Sequence, residues 1–250
     1  MSLGQHLLEL RKRLFWAAAG IVVGAIIGWM LSDLVWDALR DPIYAIVQAQ
    51  NRDAQINYTD ITSAFDLKLK ISFYLGLVVS SPMWLYQIFA FLVPGLTRRE
   101  KQYTFGFLFS AVPLFVAGCA AGWFVLPNVV GLMTGFAPPE DAAFINAQNY
   151  LDFVLKLVIA IGVAFVLPVF IVLLNMAGVI SAESIIKSWR VAILLITLFT
   201  AIATPAADVV SMFLLALPMI ALYFAAYGIA YLHDRRASKR ALTLNREVAQ

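Results

Sequence analysis

The sequence is divided into long apolar runs by short charged breaks, and the runs are longer than the interior of a soluble domain requires. Leu14 to Leu31 is 18 residues without one charged side chain, and a helix needs about 20 apolar residues to cross the hydrocarbon of a bilayer. The whole chain repeats the pattern. Of its 250 residues, 62% are hydrophobic and 13% charged, with mean hydropathy +0.84, whereas a soluble domain carries about 25% charged residues. This composition excludes a soluble protein and leaves no room for a second, soluble domain. Arg11-Lys12-Arg13 ahead of the first run imitates a signal peptide. No cleaved signal is expected, because the run is too long for a signal core and no convincing cleavage site follows.

Six segments read as spans: residues 14–31, 67–93, 104–126, 151–174, 191–203 and 209–232. The predicted fold is all-α, a single polytopic transmembrane domain over 1–250 with six helices, the last two short. The fifth span has 13 residues, which at 1.5 Å per residue rises about 20 Å against a hydrocarbon thickness of about 30 Å. Such mismatch thins the bilayer or drives helix association. One re-entrant hairpin over the last two segments is the competing reading. Of the 18 basic residues, 13 fall in the N-terminal stretch, the loops after the second and fourth spans, and the tail. That excess places both termini in the cytoplasm.

Between the spans, residues 3–14 predict a short amphipathic helix, with Leu3, Leu7, Leu10 and Leu14 on one face lying on the bilayer surface. Glu9 and Arg13 form an i,i+4 pair of favourable order. Gly20, Gly24 and Gly28 make a small-residue ridge suited to close helix packing. Residues 33–66 read as a folded outer cap with short helices, and 233–250 as a fraying cytoplasmic tail.

Enzyme constellations are missing from the sequence. His6 and His233 lie outside the membrane, there is no metal-ligand spacing and no phosphate-binding glycine loop, and Cys119 reads as a packing residue. No catalytic residue, metal, cofactor or nucleic acid is expected. The middle of every predicted span lacks Asp, Glu, Lys, Arg and His, and Asp152, Lys156 and Asp208 lie near outer ends. A charge-coupled carrier would need such groups near the midplane. The chain therefore reads as a receptor or scaffold that works at its faces. A small secondary solute transporter with proline-kinked helices is the alternative.

The informative face is the stretch from Ser81 to Lys101. Pro94-Gly95 forces a turn, and the composition then flips to Arg98, Arg99, Glu100 and Lys101. Glu100 is either a solvated partner of its basic neighbours or a receptor carboxylate for a cationic ligand. Arginine offers a planar fork that a carboxylate matches in bidentate fashion and lysine cannot copy. A ligand with more than one guanidinium would want more than one acidic acceptor. Glu9 and Glu100 are the carboxylates of the first two inner segments; the other inner acids are Glu183, Asp234 and Glu247.

Phe91-Leu92-Val93-Pro94-Gly95-Leu96, followed by Glu100, resembles the first cytoplasmic loop of the TatC family of twin-arginine translocase subunits. The opening run His6-Leu7-Leu8-Glu9-Leu10-Arg11-Lys12-Arg13-Leu14 resembles that family's N-terminal signature, and the resemblance extends over essentially the whole chain. It implies a six-helix concave wall in the cell membrane, acting as the core receptor of twin-arginine export with no enzymatic activity of its own. It implies binding of Arg-Arg signal peptides of folded cargo by Glu9, Arg11, Phe91, Pro94 and Glu100, with Glu9 and Glu100 converging. It implies docking of TatA-type and TatB-type single-span partners around Thr204, Pro205, Asp208, Ser211 and Met212. Export would run on the proton-motive force through those partners, with copies of the chain assembled in one complex. Pro42 in the outer cap matches a proline common in the family. Two positions depart from the pattern. Val166 stands where a glutamate often precedes a Val-Pro or Leu-Pro pair, and Met212 where some members have glutamine, leaving packing, or Thr204 and Ser211, to engage the partners.

Overall fold

The computed structural model describes residues 3–49, 54–58, 60–92, 100–135, 143–204 and 208–248. Among the described residues, eight helices and two short strands follow in order. They are α1 Leu3–Ala49, β1 Ala54–Asn57, α2 Ser63–Val79, α3 Ser81–Leu92, α4 Glu100–Gly135, β2 Ala143–Asn146, α5 Ala147–Met176, α6 Ala182–Lys187, α7 Trp189–Ala203 and α8 Val209–Val248. By length and composition α1, α4, α5 and α8 can each cross a membrane, and α2 with α3 makes a fifth crossing when the bent pair is taken together. Helix α7 is apolar but has only 15 residues. The molecule is an all-α, multi-pass membrane protein.

Three local expectations change. The short N-terminal helix and the first span are one element, because α1 runs unbroken for 47 residues and carries on through the first half of the predicted cap. Polar residues such as Asp33 and Asp37 do not themselves end a helix, and Ala38, Leu39 and Arg40 favour it. The segment 67–93 is broken: α2 and α3 meet at 58°. Pro82 has no N–H and its ring crowds the carbonyl four residues back, so the ladder fails at Ser80 and Ser81. The indole N–H of Trp84 donates to the freed carbonyl of Leu77 at 2.8 Å and fixes the bend. The tail does not fray over 233–248, where α8 continues to Val248.

Helix α1 packs antiparallel on α2 and α3 through its glycine ridge. A Cβ on Gly24 would lie 2.5 Å from the carbonyl oxygen of Gly76, one on Gly28 would strike the carbonyl of Ser72, and one on Gly20 would meet Met83 Sδ at 2.5 Å. Backbones this close gain dispersion contacts that lipid cannot match. Helices α4 and α5 approach in the same way, where a Cβ on Gly118 would lie 2.8 Å from Gly162 Cα. The core gathers Leu67, Ile71, Val125, Leu151, Ile161 and Leu215 in one cluster, with Leu85, Phe89, Phe115 and Val169 in a second. Leu7, Phe15, Val22, Ile26 and Met30 of α1 are exposed, as lipid-facing side chains should be.

The end of the bundle away from the N-terminus is tied by long-range polar contacts. β1 and β2 pair in parallel, Ala54 with Ala143 through Asn57 with Asn146. Tyr150 donates its hydroxyl to the carbonyl of Leu39 at 2.9 Å. Lys70 reaches Asp152 at 2.7 Å and Lys68 reaches Asp33 at 2.8 Å. The isolated acids and bases at these span starts are thus cross-links between helices.

Candidate functional site

Glu9 and Arg13 lie on the face of α1 that continues into the glycine ridge. His6, Glu9 and Arg13 are three and four residues apart, so a 3.6-residue period puts them on one side. That side is half-buried, while Leu7 and Leu14 are 64% and 66% exposed on the other. The His6 ring stacks on Phe91, with centroids 4.5 Å apart and planes at 23°. One ring contact therefore joins the first turn of α1 to the last turn of α3, one helical turn from Glu9. Arg13 closes the arrangement: Nε at 3.0 Å and Nη2 at 2.5 Å both donate to Oε1 of Glu9. The two side chains are only 24% and 23% exposed.

The five inner-face residues named from sequence fare differently. Phe91 is brought against His6, one helical turn from Glu9. Arg11 is not, because it is exposed and two residues from Glu9, about 200° around the helix. Glu100 opens α4, with its side chain outside the described residues, and Pro94 lies outside them altogether. The convergence of Glu9 with Glu100 therefore falls outside what is described. His6 went unrecognised in the sequence, although its i,i+3 spacing from Glu9 was available as a signal.

The remaining inner acids with described side chains are committed elsewhere. Glu183 pairs with Lys187 at 2.7 Å on an exposed surface, and this hydrogen bond holds its carboxyl below the ordinary value. Asp234, beyond the span predicted to end at residue 232, accepts from Ala182 N–H at 2.8 Å and Asn175 Nδ2 at 3.0 Å. Burial works to raise this carboxyl, and the hydrogen bonds, with His233 at 3.4 Å, outweigh it and leave the group below its ordinary value. Asp234 thereby ties α8 to the connection after α5, where Gly178 takes φ +72° to reverse the chain.

At the opposite end, Thr204, Asp208 and Ser211 are buried, Met212 is half-buried, and Pro205 lies outside the described residues. Asp208 Oδ1 caps α8 by accepting from Ser211 N–H at 2.9 Å. Among the described residues, the buried Asp208 Oδ2 and Ser211 Oγ have no hydrogen-bond partner. Thr204 donates to the carbonyl of Thr200 at 2.8 Å. Pro42 falls within α1, and nothing further of its side chain is described. Val166 is 2% exposed among Leu85, Phe89, Ala111 and Phe115. Among the described residues, no three His, Cys, Asp or Glu side chains come together as metal ligands would.

An apolar bundle with its polar groups gathered at two ends defines a multi-pass helical membrane protein. Comparison with known proteins narrows the class. Residues 5–218 match the family model described as Sec-independent protein translocase protein (TatC). The Sec-independent protein translocase protein TatC of Xylanimonas cellulosilytica is 47% identical over 240 residues, which is 96% of this chain and 87% of that protein. The TatC of Rothia mucilaginosa is 38% identical over 98% of this chain and 84% of its own length. A crystal structure of the twin-arginine translocase receptor TatC superposes with a TM-score of 0.73 at 29% identity, covering 91% of this chain and 98% of that one. The chain belongs to the TatC family of protein translocase subunits, which are transport components rather than catalysts.

Proposed function

We propose that this chain is the receptor core of twin-arginine protein export. Its basic end binds the Arg-Arg segment of signal peptides on folded cargo. Glu9 and Glu100 accept the guanidiniums, while Phe91 and Pro94 shape the apolar side of the site. Arg11 contributes from the other face of α1, where it cannot join the carboxylates. TatA-type and TatB-type single-span subunits dock at the opposite end around Thr204, Pro205, Asp208, Ser211 and Met212, and they couple transport to the proton-motive force. Copies of the chain assemble within that complex. The observation that supports the reading is the His6–Phe91 stack, which holds the turn of α1 next to the sheltered Glu9 carboxylate against the last turn of α3. Charge-assisted hydrogen bonds contribute about 1.5–3 kcal/mol each, enough for two of them to set specificity. The unpartnered buried oxygens of Asp208 and Ser211 support a polar contact with a partner helix.

A photo-crosslinker placed on a signal peptide beside its two arginines tests the reading. Crosslinking near Phe91 that disappears when both arginines become lysines is the expected result. Equal crosslinking by both peptides, or export of Arg-Arg cargo unaffected by Glu9→Ala and Glu100→Ala, overturns it.

A further inference from the structure

The carboxylate assigned above to an incoming guanidinium already holds one. Both donors of the Arg13 fork fall on the same oxygen, Oε1 of Glu9, and among the described residues Oε2 has no partner. A salt bridge that merely neutralised Glu9 could place one donor on each oxygen, as bidentate arginine–carboxylate pairs do. Among the described residues, half the accepting capacity is left over. The pair is also sheltered and runs in the favourable order, Glu four residues before Arg. One turn away on the same face, the His6–Phe91 stack holds the helix against α3.

We infer that Arg13 is a positioning residue for cationic-ligand recognition. It immobilises the Glu9 side chain through Oε1 and leaves Oε2 to accept a guanidinium from the ligand. The inference rests on the reading of Glu9 as part of a signal-peptide site. A free glutamate would lose its rotamer freedom on binding, and a held one has lost it beforehand. The positive charge of Arg13 acts in the opposite sense, because it repels every cationic peptide alike. Removing it therefore changes two things that separate cleanly. General attraction for basic peptides rises, while the advantage of arginine, which depends on a carboxylate fixed in direction, falls.

The measurement uses the full chain in lipid nanodiscs and two fluorescent peptides, identical but for Arg-Arg or Lys-Lys ahead of the apolar segment. Arg13→Gln is expected to lower the Arg-Arg over Lys-Lys affinity ratio by about three- to tenfold, with Lys-Lys binding unchanged or tighter. Arg13→Lys, which keeps the charge and one donor, is expected to recover part of the ratio. Thermal unfolding of each variant reports the folded fraction. An unchanged ratio in Arg13→Gln overturns the inference. So does a proportional loss of both peptides, which marks a purely structural role, or a selective gain for Arg-Arg, which marks Arg13 as a competitor. Glu9→Gln separates the two levels. If it keeps the wild-type ratio, Glu9 is not a guanidinium acceptor and both readings fall. If it loses the ratio while Arg13→Gln keeps it, only the role of Arg13 falls.

Discussion

The backbone carbonyl oxygen of Gly76 occupies the space that a side chain on Gly24 would need. The α1–α2 contact is therefore made by main chain, and no rotamer change can relieve an added methyl. Gly24→Ala is expected to destabilise the bundle by about 1–3 kcal/mol, the usual cost of overpacking. Gly228→Ala, in α8 with nothing within 4 Å of an added Cβ, is expected to be neutral or to gain up to about 1 kcal/mol from helix propensity. Thermal unfolding in detergent compares them. Equal stability of the two variants would show that the helices do not approach at this ridge.

Val166 is buried in an apolar cluster that includes Phe89 and Phe115. Restoring the glutamate common elsewhere in the family would strand a carboxylate there. Val166→Glu is expected to cost about 2–4 kcal/mol, or to titrate as the neutral acid. Val166→Leu should cost less than about 1.5 kcal/mol. A glutamate variant as stable as the parent at neutral pH would mean that this side of α5 faces water or a polar partner.

The Asp234 clamp gives a pH dependence of defined sign. Its carboxyl is held below the ordinary value in the folded chain, so the unfolded chain binds the proton more readily. The stabilisation is complete above the unfolded value of about 3.9 and is lost as pH falls through the folded one. The protection factor of the Ala182 amide, its exchange rate taken relative to the intrinsic rate at each pH, should fall at acid pH in the parent. In Asp234→Ala it should be low already at neutral pH, with a global loss of about 1 kcal/mol after allowance for solvent screening. Protection at Ala182 that ignores both changes would remove Asp234 from the clamp.

Lys70 and Asp152 join α2 to α5 from positions 82 residues apart, and both are about a third exposed. A double-mutant cycle with alanine at each is expected to give a coupling of about 0.5–1 kcal/mol. The exchanged pair Lys70→Asp with Asp152→Lys should recover stability lost by either alone. Additive single effects would reduce the pair to a surface coincidence.

Much of this architecture is legible in the chain because it repeats with a period. Gly20, Gly24 and Gly28 announce a packing ridge by spacing alone, and the apolar runs announce the long helices. Signals that depend on distant partners are silent. Nothing around Ala54 or Ala143 says that two four-residue strands will pair across most of a hundred residues. The stack of His6 on Phe91 is invisible for the same reason, although the common face of His6, Glu9 and Arg13 could have been read. Pro82 was visible but ambiguous, since a proline inside a span either bends or breaks it. The structure shows a break, with the Leu77 carbonyl taken up by Trp84. Asp33 and Asp37 mislead in the other direction, because charge marks where lipid ends, and α1 does not stop there.

An uninterrupted α1 has a mechanical meaning. Its 47 residues form a rod about 70 Å long, more than twice the hydrocarbon thickness of a bilayer. The rod is gripped by the ring of Phe91 near its beginning and by the hydroxyl of Tyr150 near Leu39. Between these two grips the helix carries no proline, so a tilt imposed at its first turn is passed along continuous backbone toward the second. A load at one end of α1 is thereby felt at the other without any charge having to cross between them.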